Sequence, residues 1–237
     1  MKTEQKWIIG NSIDWLPKLL DNSVDLVVTD PPYNIGFDYK GGYSDKLSEE
    51  DYIELLNNFE RMPAVFIHYP EETIKYLIPA LGIPDKIVAW VYNSNTNRQF
   101  RLISWFNCKP DFSKIKQPYK NLKDKRIKEL IANGSEGTKL YDWWFINQVK
   151  NVSGEKTEHP CQIPLEIYEK IILLTTNEGD LVLDPFLGSG TALEACRNTN
   201  RNCLGIEVDP QWGQIYRKRL KLDNTKLDAF NTSACPK

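Results

Sequence analysis

No stretch of the 237 residues approaches eighteen consecutive apolar side chains, so no membrane-spanning helix is expected. The opening "MKTEQKWIIGNS" lacks a long apolar run too, and no secretory signal is expected there. Cysteine is sparse and scattered: Cys108, Cys161, Cys196, Cys203 and Cys235 form no CxxC pair. That pattern argues against a disulfide framework and a zinc site, and for a reducing, cytoplasmic setting. With only His68 and His159 in the chain, no histidine-rich metal centre is expected. Net charge is small as well, −2 from 30 Lys and Arg against 32 Asp and Glu, and does not by itself mark a nucleic-acid binder. There is no repeat of solenoid length, and no GK[ST] follows any glycine loop, which excludes a P-loop.

What is present fits one large α/β domain spanning 1–237. Apolar runs bounded by turn residues predict strands at "KWIIG", "VDLVVTD", "AVFIHY", "KIVAWVY", "RLISWF", "DLVLD" and "CLGIEV". Helical patterns lie between several of them. "SEEDYIELLNNF" opens on Ser48 with acids in its first turn, and "LEIYEKIILLTT" sets Leu165, Tyr168, Ile172 and Leu173 at helical spacing. "GTALEACRNT" and "DPQWGQIYRKRLKL" each follow a strand. Such alternation predicts a mostly parallel sheet covered on both faces. The span 93–158 breaks the rhythm: it is basic, rich in Asn, and carries Trp105, Phe112, Tyr119, Trp143, Trp144 and other aromatics. It reads as an insertion on the core, and the end, "DNTKLDAFNTSACPK", as a loosely held tail. Within the insertion Lys109–Lys128 holds eight Lys or Arg against two Asp, and "YRKRLK" forms a second cluster at 216–221. Either is a solvated face or a phosphate-facing surface.

Three predicted strands end in or run into Asp-Pro: Asp30-Pro31, Asp184-Pro185 and Asp209-Pro210. Proline pushes the preceding residue out of the helical region, which stops the strand and leaves a carboxylate near its carboxyl end. In open α/β sheets ligands bind along that edge, so three such junctions suggest one shared crevice. "DLVLDPFLGSGTALEAC" reads as strand, glycine loop and helix, with Gly188 and Gly190 allowing a sharp turn and Thr191 near the helix start. Glu207 follows Gly190 by 17 residues, at the end of the next strand. An acid there suits the two hydroxyls of a ribose, so the segment predicts a nucleoside-cofactor site.

"DPFLGSGT" followed by "GIEVDP" resembles the S-adenosylmethionine motif of DNA amino-methyltransferases, and "TDPPY" resembles their catalytic motif. "EHPCQIPLEIYEKII" is similar to the His-Pro-x-Gln-x-Pro segment that precedes the glycine loop in their β class, and the motif order here is that of this class. The resemblance covers most of the chain outside 93–158. It implies a Rossmann-like S-adenosylmethionine-dependent methyltransferase fold with permuted motifs, 93–158 being a target-recognition insertion. It also implies a cofactor site at Asp184, Pro185, Phe186, Gly188, Ser189, Gly190 and Thr191, completed by Asp30, Glu207 and Val208. His159, Gln162 and Pro164 match the segment beside the cofactor's methionine part, although Ile163 stands where lysine is frequent. Asn11 stands where the family often has Asp, keeping an acceptor without the charge.

The catalytic tetrapeptide is Asp30, Pro31, Pro32 and Tyr33. An exocyclic amine of adenine or cytosine is a poor nucleophile, because its lone pair is delocalised into the ring. Two acceptors set against its N–H groups favour a geometry in which the lone pair faces the methyl donor. Asp30 supplies one acceptor; by resemblance the Pro31 carbonyl is the other. The prolines hold φ and add no competing donor. Tyr33 offers a face on which a flipped-out base can stack. The expected activity is methyl transfer from S-adenosylmethionine to the N6 amine of adenine in double-stranded DNA, because Asp in the first motif position goes more often with adenine. Alternatives are cytosine-N4, an RNA amine, and an idle nucleic-acid-binding partner subunit. "PCQ" at 160–162 superficially resembles the Pro-Cys of enzymes that methylate carbon 5 of cytosine, but the motif order is wrong for that chemistry and Cys161 is expected to be packed. The resemblance allows a homodimer and a cognate restriction endonuclease as partners beside the DNA, and requires neither. Trp143 and Trp144 suit a core or a base-stacking role.

Overall fold

The computed structural model describes residues 3–19, 23–39, 45–151 and 153–222. The tail predicted at 223–237, Cys235 included, lies outside the described residues. Ten strands are described: β1 (Gln5–Ile9), β2 (Leu26–Thr29), β3 (Ala64–His68), β4 (Lys86–Val91), β5 (Phe100–Phe106), β6 (Lys116–Gln117), β7 (Thr138–Lys139), β8 (Trp143–Phe145), β9 (Leu181–Asp184) and β10 (Asn202–Glu207). The helices are α1 (Ser12–Trp15), α2 (Glu49–Asn57), α3 (Pro70–Glu72), α4 (Ile78–Leu81), α5 (Lys125–Ala132), α6 (Leu165–Thr175), α7 (Thr191–Asn198) and α8 (Gly213–Arg219). A π turn, Thr73–Leu77, joins α3 to α4. Pro79, just beyond it, has no N–H to continue the regular ladder.

Eight strands form one sheet in the order β1-β10-β9-β2-β3-β5-β4-β8. All run in one direction except β5, which pairs antiparallel with both β3 and β4. Each of the seven predicted strands is in this sheet. They were readable because β2 and β3 are buried at every residue, as a parallel sheet covered on both faces requires. Along them the side chains alternate between two cores. Leu26, Val28, Val65 and Ile67 join Ile167, Ile171, Leu193 and Ile215 from α6, α7 and α8. Val27, Ala64 and Phe66 join Tyr52, Leu56 and Leu77 from the opposite layer.

Local chemistry sets the helix ends. Ser48 caps α2 by accepting from the Asp51 N–H (3.1 Å), as its acid-rich start predicted. The buried stripe of α6 differs from the expected one. It is Ile167, Tyr168, Ile171, Ile172 and Leu174, and Leu165 and Leu173 are only part-buried, because α7 and the sheet meet the helix one residue around from the predicted face.

The span 93–158 is not all peripheral. It contains β5, whose Trp105 and Phe106 are in the core, and β8, which extends the sheet beside β4. Residues 107–142 lie off the sheet and hold the β6–β7 ribbon and α5. Asp124 caps α5, accepting from Arg126 and Ile127, and no residue of this helix is buried. Trp143 and Trp144 part company. Trp144 is buried with its indole donating to the Tyr141 carbonyl (3.0 Å), and Trp143 is half exposed beside Lys120. No helix among the described residues is long and apolar enough to cross a membrane.

Chain direction explains where the site must be. From β9 the chain crosses through α7 to β10 on one side; from β2 it crosses through α2 to β3 on the other. β2 and β9 are neighbours, with Leu26 opposite Val182 and Val27 opposite Leu183. Connections that diverge from adjacent strands open a crevice at their carboxyl ends. Asp30 and Asp184 stand at those two ends.

Candidate active site

A cleft of about 260 Å³ opens at this divergence. Of the residues expected to bind a cofactor, Asn11, Asp30, His159, Pro185, Phe186, Gly188, Ser189, Thr191, Glu207 and Val208 line it, and so does the catalytic Pro32. Asp209, from the third Asp-Pro junction, is there too. Pro31, Tyr33, Gln162, Pro164, Asp184 and Gly190 are not on its wall. Gln162 ties its own loop together, accepting from the Thr157 N–H and hydroxyl (both 2.9 Å) and donating to the Glu155 carbonyl (2.7 Å). Pro164 begins α6. Asp184 is buried behind the wall, accepting from the Thr29 hydroxyl (2.8 Å), the Phe186 N–H (3.2 Å) and the Tyr168 hydroxyl (3.1 Å). Burial nonetheless pushes its carboxyl up to about 7, against those three donors.

The glycine loop is built by steric demand. Gly188 has φ +50 and Gly190 φ +74, both in the left-handed region that a Cβ disfavours. A Cβ at 188 would sit 3.2 Å from the His159 ring, and one at 190 would sit 2.6 Å from Tyr216. Glu207 braces the loop from β10: one oxygen accepts from the Gly188 N–H (2.8 Å) and the other from the Asp209 N–H (2.9 Å). Each oxygen keeps a lone pair, so Glu207 can still accept from a diol. His159 packs edge-on to Trp212, with centroids 4.8 Å apart, and burial pulls its ring down to about 4. It is therefore neutral at pH 7.

On the other side of the cleft, Tyr33 departs from the expected display. It is only 7% exposed, its ring stacked on His68 at 4.1 Å and set edge-on to Tyr69. Its hydroxyl donates to Asp30, so the ring is turned inward by the carboxylate three residues before it. The Pro32 carbonyl accepts from the Tyr52 hydroxyl, which also contacts His68 Nε2 (3.3 Å). Since the Tyr52 proton goes to Pro32, Nε2–H of His68 is the donor in that second bond. The catalytic turn is thus held from beneath by α2 and β3.

The charge pattern of the cleft identifies what it can hold. Among the described residues its wall carries four carboxylates (Asp30, Asp45, Glu207 and Asp209) and no Lys or Arg. A pyrophosphate has no cation to pair with among those described residues. A nucleoside bearing positive charge fits: Glu207 beside the glycine loop for the ribose, Phe186, Ile206, Val208 and Trp212 as apolar walls, and acids for the cation. Cys161 also lines the cleft, with its thiol pushed up to about 11, chiefly by burial. It is protonated at neutral pH and unfit as a nucleophile.

Sequence reasoning missed Ser12, Tyr39, Asp45, Tyr168 and Trp212 on this wall, and Arg101 just behind it. Trp212 lies two residues beyond the Asp209-Pro210 pair that marks the end of a predicted strand. Arg101 had a signal as well: it is one cation inside the apolar strand "FRLISWF".

Residues 84–218 match the DNA methylase family (N6_N4_Mtase). The chain is 27% identical over 259 residues to the Type II methyltransferase M.HpaI of Haemophilus parainfluenzae, covering 98% of this chain and 80% of that protein. It is 26% identical over 254 residues to the DNA adenine methyltransferase YhdJ of Escherichia coli (strain K12), covering 92% of this chain and 83% of that protein. Among solved structures, the M1.HpyAVI–SAM complex superposes with a TM-score of 0.62 at 25% identity, covering 92% of this chain and all of that one. A cation-accepting nucleoside cleft beside DPPY, and a family match over more than half of the length, lead to one conclusion: the chain belongs to the DNA methylases, as a β-class DNA amino-methyltransferase that uses S-adenosylmethionine.

Proposed function

We propose that this chain methylates the N6 amino group of an adenine flipped out of duplex DNA. The observation that carries the reading is Asp30, a carboxylate at the end of β2 that opens onto the acid-lined cleft across from Glu207 and the glycine loop. S-adenosylmethionine, when bound, supplies a methyl group on a positively charged sulfur. The chain's own residues do the rest. Glu207 and the glycine loop hold the ribose, Phe186 and Val208 the nucleobase, and Asn11 and His159 flank the remainder; Asp184 sets the loop from behind. Asp30 accepts one N–H of the target amine and the Pro31 carbonyl the other, so that the nitrogen lone pair faces the cleft. Pro31 and Pro32 fix the turn, with Tyr52 donating to the Pro32 carbonyl. Tyr33 stacks on the base once its ring leaves His68, returning roughly 1–3 kcal/mol of the unstacking cost.

Target recognition belongs to the span 93–158, and within it chiefly to 107–142. There Lys120, Lys123, Lys125, Arg126 and Lys128 are exposed, as phosphate contacts need to be. Adenine is favoured over cytosine by Asp in the first motif position and by the name of the YhdJ relative. The test is transfer of labelled methyl from S-adenosylmethionine to unmethylated genomic DNA, wild type beside Asp30→Ala, with nucleosides identified by mass. N6-methyladenine that vanishes in the variant is the expected result. N4-methylcytosine would overturn the base assignment, and unmodified DNA from a folded protein that binds the cofactor would overturn the activity.

A further inference from the structure

Arg101 is the odd member of β5. The strand reads "FRLISWF", lies inside the sheet between β3 and β4, and pairs Arg101 with Trp90. Its side chain is 15% exposed, with no hydrogen-bond partner for Nε among the described residues. Burying a guanidinium this way is costly, and needs a compensating role. The guanidinium is caged by three rings, with its central carbon 5.4 Å from the Tyr33 centroid, 5.0 Å from Tyr69 and 5.3 Å from Trp90. From this cage Nη1 reaches Oδ2 of Asp30 at 3.6 Å, an ion pair without a hydrogen bond. The Tyr33 hydroxyl engages the other oxygen, Oδ1. Both oxygens of Asp30 therefore have a partner before any base arrives.

We infer that Arg101 is a positioning residue of the methyl-transfer site, holding Asp30 as an ionised, oriented carboxylate beside the base pocket. This rests on the reading of Asp30 as acceptor for the target amine. Burial works against that role: it pushes the Asp30 carboxyl up, while Arg101 and then Tyr33 pull it down. A protonated Asp30 would carry an O–H and turn a donor toward the amine, losing an acceptor where one is needed. Among the described residues, the other titratable groups that sense Asp30 are Tyr39 from its own loop, Tyr52 from α2, Cys161, Tyr168 from α6 and Asp184 from β9. The phenols and the thiol are held neutral by burial, and Asp184, when ionised, opposes the charge on Asp30. Arg101 is the cation in the set. The three rings restrict the guanidinium to one orientation, so the carboxylate is fixed in direction as well as charge.

The test compares wild type with Arg101→Met, Arg101→Gln and Arg101→Lys. The Asp30 carboxyl is titrated by carbon-13 NMR and assigned from the Asp30→Asn spectrum; this needs no DNA and no turnover. Calorimetric affinity for S-adenosylmethionine reports folding. The pH profile of kcat is the second readout. Met and Gln should each move the Asp30 titration midpoint to higher pH, by about one pH unit or more. The acid limb of kcat should move with it, so that at a fixed pH below the midpoint the rate falls about tenfold for each pH unit the limb travels. Lys should keep the midpoint near that of wild type, while kcat drops from looser orientation. Cofactor affinity is compared above the Asp30 midpoint, where the carboxylate is charged in every variant, and there should stay within about threefold. An unchanged midpoint in a neutral variant that still binds cofactor overturns the inference, even where DNA is methylated. If wild type methylates no DNA, the activity assignment fails, and the midpoint still decides whether Arg101 holds the charge.

Discussion

Replacing Gly190 by alanine tests whether the glycine loop is as sterically determined as its geometry implies. The residue has φ +74, where an L side chain costs about 1–2 kcal/mol. The new Cβ would also lie 2.6 Å from Cδ1 and 3.0 Å from Cε1 of Tyr216. That ring cannot swing aside freely. It is fully buried, sits edge-on to Trp7, and its hydroxyl donates to the Gly188 carbonyl at 2.9 Å. Forcing it out adds an overpacking cost of about 1–3 kcal/mol and pulls on the loop at Gly188. The total expected is about 2–5 kcal/mol, a drop in Tm of roughly 4–20 °C for a domain of this size. Urea unfolding followed by circular dichroism gives the stability, and calorimetry the affinity for S-adenosylmethionine, which should weaken at least tenfold. Gly213→Ala is the control. Gly213 has no positive φ, and its Cβ would meet nothing within 4 Å, so this change should be neutral or stabilise by up to about 1 kcal/mol. A Gly190→Ala protein within about 0.5 kcal/mol of wild type, with cofactor affinity unchanged, would refute the steric argument.

Cys161→Ser should keep methyl transfer within about threefold, because a thiol held protonated by burial is no nucleophile. Loss of more than a hundredfold, with cofactor binding intact, would bring a covalent route back into play. Both histidines should titrate abnormally low: burial takes His68 to about 3 and His159 to about 4. With folded values below the unfolded one, their contribution to stability is complete above about pH 6.5 and is lost as pH falls toward 4 and 3. Histidine ring nitrogen-15 shifts should therefore show neutral imidazoles from pH 7 down to 5, and an imidazolium at pH 6 would contradict the packing. Tyr52→Phe removes the donor to the Pro32 carbonyl and leaves that oxygen short of a partner. Steady-state kinetics should show kcat reduced about tenfold with cofactor affinity unchanged; an unaltered kcat would mean that the turn holds itself.

Legibility followed the range of the interactions. The parallel strands could be read because a strand buried on both faces is an unbroken apolar run, and because Asp-Pro stops it at a definite residue. The glycine loop was legible for a similar reason: its left-handed residues admit little but glycine. What was missed depends on partners far along the chain. β8 is three residues long and exists because it docks on β4, more than fifty residues away. The helical stretch 70–81 was obscured by Pro70 and Pro79, and the sheet-central place of β5 hid inside a span that reads as an insertion. Tyr33 reads as a displayed ring, yet its neighbour Asp30 and the distant His68 turn it inward. Arg101 looks anomalous in its strand, but its partner Asp30 is 71 residues earlier, just past the end of a different strand.

The divergence point of the sheet creates a problem that the flanking residues answer. Asp30 and Asp184 end adjacent parallel strands, and the charge on Asp30 adds to burial in raising the preference of Asp184 for a proton. Equal surroundings would leave the proton shared and neither group committed. The surroundings are unequal. Asp184 is fully enclosed, meets only neutral donors in Thr29, Tyr168 and the Phe186 N–H, and is pushed up to about 7. Asp30 keeps an opening to the cleft and faces the Arg101 guanidinium. The neutral form is therefore favoured more at Asp184 than at Asp30. Asp30 is left as the acceptor. One strand end thereby serves the cofactor loop and the other the target amine, although both begin as the same Asp-Pro pair in the sequence.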